Sequence, residues 1–218
     1  MNSADKERAK SLTKETIDVE VFDDFFEPFY FDWLCNHFAL GTFEWLYNDN
    51  ISKGKAGDEN ALPHMHGFSQ GLYDAPRNEG IKDKHMIWAY IFLKIQHEFD
   101  FNPYDLIRAR FDMTVCAPAG TMHTPHKDFD NIPHLSGIIY LNESDGDTVI
   151  FNETEYGDEY TEKIRISPKK NRLILFDGKY VHTGHSPSYH NNRILLNFNY
   201  AKENNEQNQQ APIRNQVG

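Results

Sequence analysis

Three side chains in the C-terminal half of the sequence could together bind a metal ion. His126 and Asp128 are two residues apart in the segment HTPHKDFDNIPH, and on an extended backbone such positions project to the same side. His182 follows about 54 residues later, at the opening of a short predicted strand. Two imidazoles and one carboxylate on one face of an ion leave coordination positions open, as in non-haem Fe(II) sites that take a co-substrate and oxygen.

Other residues of ligand type lie near these positions or in a polar loop. They are His185 and His190 near His182, Asp130 near Asp128, and the pair His64 and His66. We favour His182 because it follows the strand-turn pattern RLILFDGKYV, and we interpret the His64–His66 segment as a solvated loop.

Arg193 is a fourth residue that could take part in the chemistry of this site. It follows His182 by 11 residues and begins the apolar strand RILLNFNY. A buried guanidinium is costly without a partner, and a dicarboxylate co-substrate would supply one through paired hydrogen bonds. The alternative is an ion pair with a nearby Asp at the mouth of the strand.

The composition excludes several classes of protein. The 218 residues carry 33 acidic and 22 basic side chains, a net charge of -11, which disfavours a nucleic-acid polymer as partner. Only two cysteines occur, in no paired motif, so we expect no disulfide framework and a reducing, cytoplasmic location. No apolar run approaches the ~20 residues that span a bilayer, and the first residues lack the apolar stretch of a secretory signal.

The sequence pattern predicts helices first and strands afterwards. Residues 83–99 have the strongest helical pattern. The side chains expected to pack inward there are Ile87, Tyr90, Ile91, Leu93 and Ile95. From residue 105, short strand-like segments follow one another between Gly, Asn, Asp and Pro turns. The fold class is therefore predicted as α+β, mainly β, with an antiparallel sandwich or barrel.

The expected organisation is a polar lead over residues 1–16, a single domain over 17–200 with its β core at about 105–200, and a disordered polar tail over 201–218. Residues 48–72 are rich in Gly, Asn, Asp and Lys and are predicted to form a long loop or hairpin near the entrance to the site.

The joint order of these features resembles one known superfamily. H-x-D is followed by a strand ending YLN, a Gly-containing strand ending in Phe, the segment RLILF, and a His with an Arg 11 residues further on. Over roughly residues 105–200 this resembles the 2-oxoglutarate and Fe(II)-dependent oxygenase superfamily, most closely the prolyl-4-hydroxylase-type branch with its small bacterial and phage-borne members. The resemblance implies a double-stranded β-helix (jelly-roll, cupin-like) with supporting N-terminal helices.

The resemblance also implies roles for individual residues. His126, Asp128 and His182 would bind Fe(II), and Arg193 would hold the distal carboxylate of 2-oxoglutarate. Tyr140, in IIYLN, lies where this branch has a tyrosine hydroxyl on the same carboxylate. The implied cofactors are Fe(II), 2-oxoglutarate and O2, with ascorbate as an auxiliary reductant.

Further residues are candidates for contacts to the substrate or to the metal ligands. His123 and His134 flank the H-x-D segment, and strand parity places Asn197 and Asn199 on the same face as Arg193. The sequence departs from the branch at Ala117, where a Tyr is frequent, and at the two Asn, near which animal prolyl hydroxylases have a Trp. Ala117 indicates that part of the contact to co-substrate or substrate differs, and the two amides indicate a more polar pocket.

The function implied is hydroxylation of a C–H bond, on a prolyl or other protein residue or on a small molecule, with succinate and CO2 as co-products. Two alternatives are a non-catalytic jelly-roll module that binds a metal or ligand as a sensor, and a cupin-type metalloenzyme without 2-oxoglutarate. Neither alternative has a use for Arg193.

Overall fold

The chain folds into two antiparallel sheets with helices from its N-terminal half. The computed structural model describes residues 1–39, 43–51, 65–77, 79–81 and 83–202. Within these ranges the α-helices are Ser3–Ser11 (α1), Pro28–Ala39 (α2) and Ala89–Phe99 (α3). The strands are Val19–Phe22 (β1), Leu46–Asn48 (β2), Gly67–Asp74 (β3), Leu106–Val115 (β4), His134–Tyr140 (β5), Thr148–Phe151 (β6), Glu162–Ile166 (β7), Leu173–Asp177 (β8), His182–Gly184 (β9) and Asn192–Ala201 (β10).

The larger sheet has seven strands in the order β1-β8-β5-β10-β4-β3-β2, and the smaller one has three, in the order β7-β6-β9. Neighbouring strands in both sheets are antiparallel. The predicted fold class is confirmed: the chain is mainly β, with the strands of a double-stranded β-helix and supporting N-terminal helices.

Strand β5 shows how the larger sheet separates two apolar layers. Ile139 packs into the cluster that the helices cover, whereas Ile138 and Tyr140 pack into the barrel interior with Phe176 and Leu195. Successive strand residues point to opposite faces, so one strand serves both layers. The predicted common face of Ile138 and Tyr140 is therefore confirmed.

Helix α3 covers the outer face of the larger sheet with a narrower stripe than the sequence suggests. Ile91, Phe92 and Ile95 are buried, but Tyr90 and Leu93 are 43% and 61% exposed, so their predicted inward orientation is wrong. Each residue turns a helix by about 100°, which carries positions 90 and 93 away from the line through 91 and 95.

The segments outside the barrel differ in how far the structure describes them. The polar lead forms α1, which packs onto the domain through buried Ala9 and an ion pair between Arg8 and Glu20 at 2.7 Å. Strands β2 and β3 pair with each other, as in the hairpin interpretation of residues 48–72, although residues 52–64 lie outside the described residues.

Residues 203–218, most of the predicted tail, also lie outside the described residues, and the domain boundaries stay predictions. In the described ranges, the helices are all too short or too polar to cross a bilayer.

Gly137 provides a stability test of the close approach between β5 and β10. It lies opposite Phe198, and a Cβ at this position would overlap the phenyl ring. We expect Gly137→Ala to lower the free energy of unfolding by about 1–3 kcal/mol. Gly71→Ala is the control, because a Cβ there meets no atom within 4 Å. Urea unfolding measures both, and equal stability of the two variants would contradict the close approach.

Candidate metal centre

A short backbone bridge brings the two halves of the predicted site together. His126 and His182 exchange two backbone hydrogen bonds, each 2.9 Å long, and their rings lie 4.6 Å apart between centroids. Asp128 is two residues further along, and its Oδ2 is 4.0 Å from Nε2 of His182. One ligand atom from each of the three residues lies within 4.8 Å of the other two. We call these three residues the triad.

Both imidazoles of the triad have the same orientation relative to the backbone. Nδ1 of His126 lies 3.1 Å from the carbonyl of Thr124, and Nδ1 of His182 lies 3.2 Å from the carbonyl of Tyr180. A carbonyl only accepts, so Nδ1 carries the proton in each ring and Nε2 keeps its lone pair. Burial, reinforced by neighbouring His126, lowers the pKa of His182 to about 4, which keeps this ring neutral near pH 7.

The carboxylate of Asp128 is held by several donors. Arg108 donates to Oδ1 at 2.7 Å, while Ser136 and Asn199 donate to Oδ2 at 2.7 and 2.8 Å. Burial alone would raise the pKa of Asp128, but the Arg108 guanidinium and the hydrogen bond from Ser136 help to outweigh it and hold the pKa well below its usual range. The carboxylate is therefore ionised and fixed in one orientation.

The donor set fits a ferrous ion. Two Nε2 lone pairs and one ionised carboxylate converge from one side, which is the ligand type and number of non-haem Fe(II) sites. The alternative ligands have other partners: His185 lies beside the carbonyl of Asp147, His190 binds Asp145, Asp130 accepts from Tyr156, and His66 lies near Tyr47. His64 lies outside the described residues.

A cavity of about 300 Å³ connects the triad with Arg193. The Arg193 side chain is buried, its Nη2 donates to Oγ1 of Thr148 at 2.6 Å, and its Nε has no hydrogen-bond partner. The Tyr140 hydroxyl also lies 2.6 Å from Oγ1 of Thr148, and the guanidinium carbon is 5.5 Å from the centre of the Tyr140 ring. In the described part of the sequence, no Asp or Glu forms an ion pair with Arg193, so this cation is buried without an anion.

The two histidines that flank the H-x-D segment lie beside different cavities. His123 lines the same cavity, with Nε2 3.0 Å from Oγ of Ser186, and burial together with nearby Arg193 lowers its pKa to about 3. His134 is buried beside a second cavity, and its Nδ1 faces the carbonyl of Ile132 at 2.7 Å.

Asn197 and Asn199 lie on the triad side of β10, where Asn199 donates to Asp128 at 2.8 Å and Asn197 lies 3.5 Å from the same oxygen. The sequence analysis missed Arg108, Ser136 and Thr148. The sequence carries a signal for two of them. Ser136 shares a strand face with Tyr140 by parity, and Arg108 is a charged residue within the strand LIRARFDMTV.

Comparison with protein families identifies this arrangement. Residues 112–201 match the model of the 2OG-Fe(II) oxygenase superfamily. The match spans 90 of the 218 residues, and over this region the protein is similar to that superfamily. Its members are oxidoreductases, so the family and the triad together imply Fe(II) and 2-oxoglutarate, and the resemblance noted in the sequence is confirmed. No curated protein sequence matches this one significantly.

Solved structures share the fold at low identity. A Pseudomonas putida prolyl-4-hydroxylase is 16% identical, the match covers 86% of this protein and 95% of the hydroxylase, and the TM-score is 0.52. A 2OG-Fe(II) oxygenase family oxidoreductase from Burkholderia pseudomallei is 15% identical. The match covers 94% of this protein and 92% of that oxidoreductase, with a TM-score of 0.60. The epimerase SnoN from nogalamycin biosynthesis is 11% identical. The match covers 92% of this protein and 84% of the epimerase, and the TM-score is also 0.60. These likenesses show the fold, which hydroxylases and an epimerase share.

The triad is tested by metal binding. We expect His182→Ala to weaken binding of Fe(II), or of Mn(II) as a redox-stable substitute, by at least about 100-fold, because one of three ligands is lost. His190→Ala is the matched control, since this exposed imidazole binds Asp145 instead. Anaerobic calorimetric titration gives both affinities. Unchanged affinity in His182→Ala would exclude the triad as the metal site.

Proposed function

We propose that this protein is an Fe(II)- and 2-oxoglutarate-dependent dioxygenase that hydroxylates a C–H bond of its substrate. The single observation that carries this proposal is the shared cavity, in which a cluster of metal-ligand type and a buried, unpaired guanidinium lie together. A metal centre alone would need no such cation, whereas a dicarboxylate co-substrate needs both.

In this proposal, Nε2 of His126, Nε2 of His182 and the carboxylate of Asp128 hold the iron. When bound, Fe(II) supplies the activation of O2 that couples conversion of 2-oxoglutarate to succinate and CO2 with insertion of one oxygen atom into a C–H bond. The task of the protein is to hold these ligands in one orientation, which the carbonyls behind each imidazole and the donors around Asp128 support.

Arg193, Thr148 and Tyr140 are the proposed anchor for the distal carboxylate of 2-oxoglutarate. Arg193 lines the cavity and forms no ion pair with the described residues, and a carboxylate beside its guanidinium would be bound strongly because water does not screen the pair. Thr148 accepts from both neighbours, so its own hydroxyl hydrogen is left for the ligand. A Cβ at Gly184 would lie 3.1 Å from Nη1 of Arg193, so the space beside the anchor is limited.

Apolar side chains separate the two polar ends of the cavity. Ile138 and Leu195 line it and belong to the buried interior cluster with Tyr140. Such a lining excludes water from the reacting groups, which protects the oxidising chemistry from side reactions. Ascorbate is the proposed auxiliary reductant, and a prolyl residue, another protein residue and a small molecule are the candidate substrates.

Arg193→Ala should chiefly weaken the binding of 2-oxoglutarate. Because charge-assisted hydrogen bonds are lost, we expect KM for 2-oxoglutarate and its Kd to rise roughly 10- to 150-fold, with Arg193→Lys between wild type and Arg193→Ala. Arg77→Ala is the control, since this exposed arginine pairs with Asp74, which does not line the cavity.

The assay measures Fe(II)-dependent succinate formation, including the slow turnover without substrate, and binding by calorimetry. Wild-type protein that binds 2-oxoglutarate but forms no succinate would instead be a non-catalytic module. Unchanged Kd in Arg193→Ala would remove the proposed anchor.

A further inference from the structure

The cavity has a wall that the proposed oxygen chemistry does not use. It is formed by strands β2, β3 and β4, and its polar residues include Asn48, Ser69, Arg110 and Asp112. All but Asp112 precede the region that matches the oxygenase family. Most of this wall therefore lies outside the family-matched region, and its chemistry bears on the substrate.

The register of the sheet places this wall beside the triad. Arg110, Asp112 and Thr114 alternate along β4 and so share the face that lines the cavity. Arg110 pairs with Asn197 on β10, and Asn197 lies 3.5 Å from the Asp128 carboxylate. A group bound by Arg110 would thus be next to the metal centre.

The backbone positions of Arg110 and of the proposed anchor lie at different levels of the sheet. Arg193 pairs with Thr114, four residues along β4 from Arg110. Four strand residues span roughly 13 Å. The cavity therefore has two cationic positions at different levels, one for the co-substrate and one for a second ligand.

Arg110 and Asp112 offer charges of both signs to that ligand. Nη2 of Arg110 donates to Oδ2 of Asp112 at 3.0 Å, and Nε lies 2.7 Å from Oδ1, so the two side chains form an ion pair with two contacts. The side chains are 44% and 23% exposed. The exposed part of this ion pair faces the cavity.

A ligand with one charge would suit this pair poorly. A lone carboxylate at Arg110 would also face Asp112 and Asp128, and a lone ammonium at Asp112 would also face Arg110. A ligand that carries both groups satisfies both partners, and the wall continues in polar groups, since Asn48 donates to Ser69 at 2.8 Å. The interior residue of a peptide carries neither charge on its backbone.

We propose that Arg110 and Asp112 bind the carboxylate and the ammonium group of a free α-amino acid, and that this amino acid is the molecule oxidised. The proposal rests on the proposed oxygenase function, in which 2-oxoglutarate and O2 supply the oxidant and the side chain of the amino acid gains one hydroxyl oxygen. Held at its two charged groups beside the triad, the amino acid would present the C–H bonds of its side chain to the centre.

The test is a binding experiment that needs no turnover. Protein loaded with Mn(II) and 2-oxoglutarate is titrated anaerobically with each common free L-amino acid. The best ligand is then compared with its N-acetyl form, its methyl ester and a capped tripeptide with the same residue in the middle. We expect each blocked form to bind at least about tenfold more weakly, because a charge-assisted contact is lost.

Variants separate the two contacts. Arg110→Ala should weaken binding of the free amino acid about tenfold or more, and it should abolish the preference for the free acid over its methyl ester. Arg110→Gln is a second variant in case the shorter side chain of Ala impairs folding. Asp112→Asn should instead abolish the preference over the N-acetyl form. Arg165→Ala is the matched control, since Arg165 forms a similar two-contact pair with Glu162 outside the cavity and should change neither preference.

Two outcomes would overturn the proposal. If no free amino acid binds, or if the capped tripeptide binds as tightly as the free form, while 2-oxoglutarate still binds, then the amino-acid site is wrong and the oxygenase function stands. If 2-oxoglutarate itself fails to bind the metal-loaded protein, both proposals fail together.

Discussion

The buried carboxylate of Asp128 is the constraint on which the rest of the site depends. A buried charge is tolerated only when it is paired and hydrogen-bonded, and this one receives donors from three neighbouring strands: Arg108 on β4, Ser136 on β5 and Asn199 on β10. Those donors converge only when the three strands are in their observed register. The charge that can bind a metal therefore also requires the centre of the larger sheet to be correctly assembled.

Two arginines of the interior have opposite charge environments. Arg108 has its anion in Asp128, so this part of the site is electrostatically complete before any co-substrate enters. Arg193 has hydroxyl contacts and no carboxylate among the described residues. A buried cation without an anion lowers the stability of the unliganded protein, and it strongly favours the binding of a dianion. The difference marks which polar groups support the fold and which are left for a ligand.

The shared fold does not by itself determine the reaction. Structures with the same arrangement of sheets include a prolyl-4-hydroxylase and an epimerase, so the barrel does not select the reaction. In this protein, the wall of the cavity comes from β2, β3 and β4, and most of its polar residues precede the family-matched region. Selectivity would then come from the residues of this wall, and the oxidising chemistry from the centre itself.

The sequence by itself predicted the strand segments along the chain, the candidate triad and Arg193. Strand parity and the short spacing of H-x-D are local properties, and they survive in any fold that keeps those segments extended. Tertiary structure decided which groups surround these residues. Arg108, Ser136 and Thr148 reach the site through pairing between distant strands, and Tyr90 and Leu93 turn outward because α3 meets the sheet along one narrow stripe. Cross-strand register and the orientation of a helix on a sheet arise from long-range contacts, which no local pattern specifies.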